Sequence, residues 1–533
     1  MHPTVFLGLD GATFTVLDAL VQDGHMPALS AIMGRGVRAP LRSTAHPLTP
    51  PAWTTVMTGR TPGAHGIYDF LRSEIRPTGA FFTLNNFRDI RCETIWTLVS
   101  RLGGRVTSLN FPLMAPPPAV NGAIIPGLLS WRHLRRNVYP KELYDELKRL
   151  SGFNAQEISW DFEHERKGTQ VIPDDELESW TQFHIVREKH WFEIVRHLMT
   201  NRPADLTAVM LDGIDKLQHS CWRFLDPAFV ATNPTPFERK MRALCLEFFA
   251  NLDRFLADLV GLAGPDSRLW IASDHGFGPN VKVLRINKWL EQYGYLRWRT
   301  TADESSRPAA PKTGNVHYVL LDWEKTTAYA QSGATNGIDI RVSKSRGDGG
   351  VPPHEYQSFR ETLIKRLLDI RDPATGTPIV TQVLPREEAF PGMHGDKAPD
   401  LTLVLCDHGF VSVLDVEPVV MDRPVVAGTH YPLGVFIACG PGVRSGARLD
   451  EQSILDVAPT LLYSLRLPVP SDFEGRVMTA AFEPSYLAAN SINSGPPTLA
   501  PDQYAAWVDA DVADDTDADE KILNRLRALG YVE

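Results

Sequence analysis

The chain is 533 residues long, with 54 Lys and Arg against 64 Asp and Glu and a formal net charge of −10. That balance argues against a nucleic-acid groove, which needs clustered positive charge to neutralise phosphates. A 43% apolar and 22% charged composition excludes wholesale disorder.

In chain order, the first predicted strand is Val5–Leu9, an apolar run closed by the turn pair Asp10-Gly11. The residues before it lack the basic region and long apolar run of a signal peptide. No window approaches 18 consecutive apolar residues, so no membrane span is expected. The five cysteines (Cys92, Cys221, Cys245, Cys406, Cys439) form neither a disulfide framework nor a CxxC zinc pattern, and the cytoplasm is the expected compartment. A helix over Thr94–Leu102 leads to a strand at Val106–Leu109. Further apolar runs follow at Leu206–Leu211, Leu269–Ala272, Leu401–Cys406 and Gly434–Cys439, with a long helix over Phe237–Leu262. Several runs are continuous rather than alternating, as in strands covered on both faces. Strands alternating with helices predict an α/β fold with a mostly parallel central sheet flanked by helices.

Two stretches break this rhythm, about 130–200 and about 283–425, and are expected to be insertions that build a lid over the sheet. The catalytic unit is expected over residues 1–490, a linker and acidic segment over 491–520, and a C-terminal amphipathic helix over 521–533. Residues 501–533 carry nine acidic and three basic side chains, so the rest of the chain is close to neutral.

Functional residues in such sheets gather at the carboxyl ends of strands. Asp10 ends the first apolar run, and Asp274-His275 follows another. Asp215 and His219 are four apart, which on a helix places both on one face and close enough to share a metal. His430 precedes the run Gly434–Cys439. Mixed Asp and His sets suit zinc, manganese or iron rather than calcium. Taken singly, each residue has an ordinary explanation as a turn former, a helix cap or a solvated face. Thr49 precedes Pro50-Pro51, which keeps it out of a helix interior and at an N-cap or N-terminal turn. There a hydroxyl faces the positive end of the helix dipole and unpaired N–H groups, a setting that suits an incoming phosphate. Thr54 and Thr55 are its rivals, inside the predicted helix.

The ordered series Asp10, Thr49, Asp215-x-x-x-His219, Asp274-His275, His430 resembles the alkaline phosphatase superfamily, and within it the type I phosphodiesterase/nucleotide pyrophosphatase branch. The resemblance is carried by Thr49-Pro-Pro-Ala-Trp…Thr58-Gly59-Arg60…His65-Gly66-Ile67, by Ser273-Asp274-His275-Gly276, and by Gly428-Thr429-His430…Gly440-Pro441-Gly442. The stretch Ile454-Leu-Asp456-Val-Ala-Pro459-Thr460 is similar to the closing segment of these enzymes.

The resemblance implies two divalent metal ions, usually zinc, with manganese also compatible. One would be held by Asp215, His219 and His430. The other would be held by Asp10, Asp274, His275 and the Thr49 oxygen. It implies a Thr49 nucleophile, a phosphothreonine intermediate, and a small phosphorylated substrate whose phosphodiester or nucleotide pyrophosphate bond is cleaved. A phosphomonoesterase or a phosphomutase would use the same site. A non-catalytic metal-binding scaffold would be favoured by a missing ligand, but all seven positions are filled. The chain departs from the branch at Pro50-Pro51-Ala52, where an aromatic and then Pro-Asn is usual. For substrate binding, Asn110, at the end of a strand, and Lys397, in Gly395-Asp396-Lys397, are the candidates.

Overall fold

The computed structural model describes residues 3–76, 79–158, 174–299, 321–345, 348–504 and 507. The acidic segment from Asp509 and the helix expected over 521–533 lie outside these residues. Among them, the central sheet has nine strands. Its order is Ala447–Arg448, Val37–Arg42, Leu433–Cys439, Arg268–Ala272, Thr4–Leu9, Leu206–Leu211, Val106–Leu109, Gly122–Ile125, with Gln452–Ser453 also pairing with Val37–Arg42. Thr4–Leu9 is central and pairs in parallel with both neighbours. Leu433–Cys439 is the antiparallel exception, between Val37–Arg42 and Arg268–Ala272. The expected α/β architecture with a mostly parallel sheet is what forms.

The continuous apolar runs have a direct cause. Val5, Leu7 and Leu9 enter a core on one face of the sheet, and Phe6 enters another on the opposite face. Alternate side chains of one strand therefore both need to be apolar. The helix Thr49–Thr58 packs Trp53, Val56 and Met57 into the second core. It lies close because the facing strand position is Gly8, where a Cβ would sit 2.5 Å from the Trp53 ring.

The two insertions do different things. Residues from Leu284 to Val420 have a separate apolar core and a four-stranded antiparallel sheet of Ala328–Tyr329, Gly337–Ile340, Leu401–Leu405 and Val380–Pro385. The run expected at Leu401–Cys406 thus belongs to this cap and not to the central sheet. The described part of the stretch expected at 130–200 packs on the central core. Its helix Asp174–Asn201 buries Trp180 and Trp191 in the first core beside residues of the helix Pro236–Ala263. The expected linker also begins later than residue 491. Ser494–Gly495 pairs with Val469–Pro470, the Leu499 N–H donates to Glu93, and Tyr504 is buried near Phe87. The apolar side chains of Leu499, Tyr504 and Trp507 pack on the second core, which holds the segment down.

Candidate active site

Sheet register brings the carboxylates together. Leu9 pairs with Leu211 and Gly8 with Ala272, so the residues that follow each strand emerge side by side at the carboxyl edge. These are Asp10, Asp212 and Asp274. Gly11 turns the chain away at a φ of 66° and its N–H donates to Asp274 Oδ1 at 3.1 Å. A Cβ at this glycine would meet the Phe277 ring at 2.8 Å. The helix Gly213–Leu225 starts directly after Asp212, with Asp215 in its first turn, where the dipole favours a carboxylate. His219 follows one turn later, and its Nε2 is 3.4 Å from Asp215 Oδ1.

His430 arrives from far along the chain. The strand Gly276–Leu284 continues from Asp274-His275 and pairs antiparallel with Val420–Tyr431, placing His430 opposite Phe277. The rings of His275 and His430 stack at 3.6 Å. His430 Nε2 is 3.1 Å from Asp215 Oδ1 and 3.0 Å from His219 Nε2. His275 Nε2 is 3.2 Å from Asp274 Oδ2 and 3.5 Å from Asp10 Oδ1.

Thr49 is the first residue of its helix, buried at 5% exposure, and its Oγ1 is 3.4 Å from His275 Nε2. The rival hydroxyls are engaged elsewhere. Thr54 donates to the Pro50 carbonyl at 2.7 Å, and Thr55 lies 3.1 Å from His65 Nε2. The helix start offers fewer donors than its position suggests, since Pro50 and Pro51 have no N–H and Ala52 donates to Leu48 O. The Thr49 N–H and the dipole remain.

The arrangement of protons fits a cation. Each histidine places Nδ1 against a backbone carbonyl: His219 at Gly428, His275 at Gly276, His430 at Pro47. A proton held there leaves the Nε2 lone pair facing the cluster. Asp10 Oδ1, Asp215 Oδ1 and Asp274 Oδ2 are buried and receive no hydrogen bond. Potential ligand atoms thus crowd together in a buried cluster, an arrangement that a positive charge among them would favour. Burial, reinforced by the charge of Asp274, pushes the Asp10 carboxyl well above its usual range. Burial also pushes Asp274 up to about 8. At Asp215 burial is outweighed by the electrostatic influence of its neighbours His219 and Lys216, and the carboxyl is held well below the ordinary value. Burial holds His275 and His430 below the usual imidazole range. Two sets of potential ligand atoms result, Asp215–His275–His430 and Asp10–Asp274–His275, each within 4.8 Å internally. His219 adjoins the first and Thr49 the second.

All seven residues expected to hold metal therefore converge. Asn110 and Lys397 do not join them. The Asn110 amide donates its hydrogens to Met210 O at 2.9 Å and Asp212 Oδ1 at 3.1 Å, so it supports the turn that leads to Asp215. Lys397 is exposed on the short helical turn Gly395–Lys397 of the cap and lines a different cavity.

Sequence reasoning missed Arg187 and Glu188. Arg187 Nη1 donates to Asp212 Oδ1 at 2.6 Å, and Glu188 Oε1 accepts the Gly213 N–H at 3.0 Å. Arg187 is 1% exposed, and burial lifts the Glu188 carboxyl to about 8. A protonated Glu188 leaves one guanidinium matched to one carboxylate at this spot. Helical spacing holds the signal: 180, 184, 187, 188 and 191 share one face, so this charged pair falls on the stripe that buries Trp180 and Trp191.

Comparison with known proteins decides the family. The model of the type I phosphodiesterase / nucleotide pyrophosphatase family matches residues 4–432. The chain belongs to this family. As a type I phosphodiesterase/nucleotide pyrophosphatase family member it is a hydrolase of phosphoric ester bonds. Its fold is similar to that of phosphonoacetate hydrolase from Sinorhizobium meliloti 1021 in complex with phosphonoformate. That match has a TM-score of 0.51 and 18% identity, and covers 87% of this chain and 95% of the other. Inactive murine ectonucleotide pyrophosphatase/phosphodiesterase 5 in complex with AMP matches with a TM-score of 0.50 and 14% identity, over 88% of this chain and 96% of that one. At these identities the likeness is one of fold.

Short segments of this family member also match two 2,3-bisphosphoglycerate-independent phosphoglycerate mutases. One is from Cereibacter sphaeroides, 36% identical over 85 residues and 16% of each chain. The other is from Agrobacterium fabrum, 35% identical over 81 residues and 15% of each chain. Among the described residues, no helix is long and apolar enough to cross a membrane.

Proposed function

We propose that this chain cleaves phosphodiester or nucleotide pyrophosphate bonds of a small phosphorylated substrate, with Thr49 as nucleophile. The observation that carries the reading is the Thr49 hydroxyl beside His275, at the rim of a buried cluster of carboxylate oxygens and imidazole nitrogens. Two divalent cations, zinc or manganese, held by Asp215, His219 and His430 and by Asp10, Asp274, His275 and Thr49, would supply the charge that favours the Thr49 alkoxide and neutralises phosphoryl oxygens.

The chain's own residues do the rest. The helix start presents Thr49 Oγ1 to phosphorus with the positive end of the dipole behind it. The Thr49 hydroxyl gives its proton to water, the Oγ1–P bond forms as the bond from phosphorus to the leaving oxygen breaks, and that oxygen takes a proton back from water. Water then attacks the phosphothreonine, which restores the threonine hydroxyl and releases the phosphate product. Asn110, Arg187 and Glu188 act through Asp212 and Gly213 as positioning residues for the helix that carries Asp215 and His219. All five cysteines are free thiols, which suits the reducing cytoplasm where we place the chain.

A phosphomonoesterase or phosphomutase is the second reading, favoured by the short matches to the mutases. Assays of the purified protein with bis-p-nitrophenyl phosphate and p-nitrophenyl phosphate separate the two. The diester is expected to be turned over faster, EDTA to abolish turnover, and zinc or manganese to restore it. Faster turnover of the monoester would favour the second reading, and turnover that survives EDTA would overturn both.

A further inference from the structure

A cavity of about 480 Å³ opens between the core and the cap, large enough for a good part of a small-molecule ligand. Asp69, Arg72 and Arg91 line it from the core side, and Ser332, His394 and Lys397 from the cap side. Its charges are unevenly matched. Arg72 is ion-paired with Asp89. Arg91 and Lys397 make no ion pair among the described residues, not even with Asp396 beside Lys397. His394 stands close to both, and burial together with their two positive charges holds its imidazole below the ordinary range. Asp69 offsets them only in part, because burial raises its carboxyl to about 7 and it also accepts the Phe70 N–H at 2.6 Å. Two cations and a neutral imidazole therefore converge on a polar cavity, the donor set that a phosphate or carboxylate takes.

None of the seven clustered residues lines the cavity, but two chains of contacts link it to the Thr49 site. Between Ser332 and Thr335, the Ala334 carbonyl meets His46 Nε2, and the His46 ring packs on Phe410, which packs on His430 at 5.0 Å. On the core side the Arg91 N–H donates to His65 O at 3.0 Å, and His65 Nε2 contacts Thr55 in the Thr49 helix. We propose that this cavity receives a second anionic group, a phosphate or a carboxylate, of the substrate that Thr49 attacks. The inference rests on the phosphohydrolase reading and narrows its substrate class to molecules with two anionic ends.

Calorimetry with three ligand series of increasing alkyl length tests it: plain alkyl phosphates, ω-phosphoalkyl phosphates and ω-carboxyalkyl phosphates. At the matching length a bifunctional ligand is expected to bind the wild type at least about tenfold tighter than the plain alkyl phosphate. The series that shows the advantage identifies the second group. In Arg91→Gln/Lys397→Gln the ratio of affinities is expected to fall to about one, with each single variant between. Both side chains are exposed, so neither change removes packing. A ratio near one in the wild type at every length, or a ratio that survives in the double variant, overturns the inference. Absence of bis-p-nitrophenyl phosphate turnover would instead sink the phosphohydrolase reading, and the binding ratio would still decide this one.

Discussion

Thr49→Ala is expected to lower kcat for bis-p-nitrophenyl phosphate by about a thousandfold or more, because the other hydroxyls near the start of its helix are engaged elsewhere. Thr54 is bonded to the Pro50 carbonyl and Thr55 to His65, and both sit inside the helix rather than at its start. The six Asp and His side chains of the cluster are untouched, so bound metal is expected to stay within about twofold of the wild type. Thr49→Ser keeps an oxygen at the same place and is expected to retain turnover within the range of about one order of magnitude. Steady-state kinetics with metal analysis of the same samples reads all of this. A Thr49→Ala protein with wild-type turnover would remove the nucleophile from the account and leave the metal cluster standing.

The second large effect is expected at Arg187. Its guanidinium and Asp212 are a buried pair at 2.6 Å, with side-chain exposures of 1% and 3%. Removing one partner strands the other charge, at a cost of about 3–5 kcal/mol in comparable buried pairs. Arg187→Met should therefore lower the denaturation midpoint markedly. Arg187→Met/Asp212→Asn should cost less than Arg187→Met alone, because no charge is left unmatched. The single variant should also bind metal about 10- to 100-fold more weakly, since Asp212 opens the helix that aims Asp215 and His219. Unchanged stability and metal affinity in Arg187→Met would show that the pair is incidental.

What could be seen in the sequence follows from how local its cause is. Val5–Leu9 and Leu206–Leu211 are legible because strands covered on both faces are apolar at every position. Asp10 and Asp274 are legible as polar residues that end such runs. The Asp215–His219 pair is legible because helical spacing alone puts both on one face. The rest depends on distant pairings. His430 reaches His275 only because Val420–Tyr431 doubles back on Gly276–Leu284, which no local pattern announces. Its place in the series came through resemblance of order and spacing. Leu401–Leu405 looks like any other buried strand, and only its pairing partners assign it to the cap. Arg187 and Glu188 were hidden by an expectation that their region forms a lid, although a charged pair on the apolar stripe of a helix marks a buried partner. Asn110 was correctly placed at a strand end, but its amide turns toward Asp212 and not toward the cluster.

The most direct test of Thr49 as a covalent nucleophile is to mix the metal-loaded enzyme with a phosphorylated substrate, quench with acid during turnover, and map phosphorylated peptides by mass spectrometry. The account predicts one phosphorylated residue, Thr49, which appears within the first turnover and disappears once substrate is exhausted. Substrate consumed with no phosphate on the protein, or with phosphate on another residue, would contradict it.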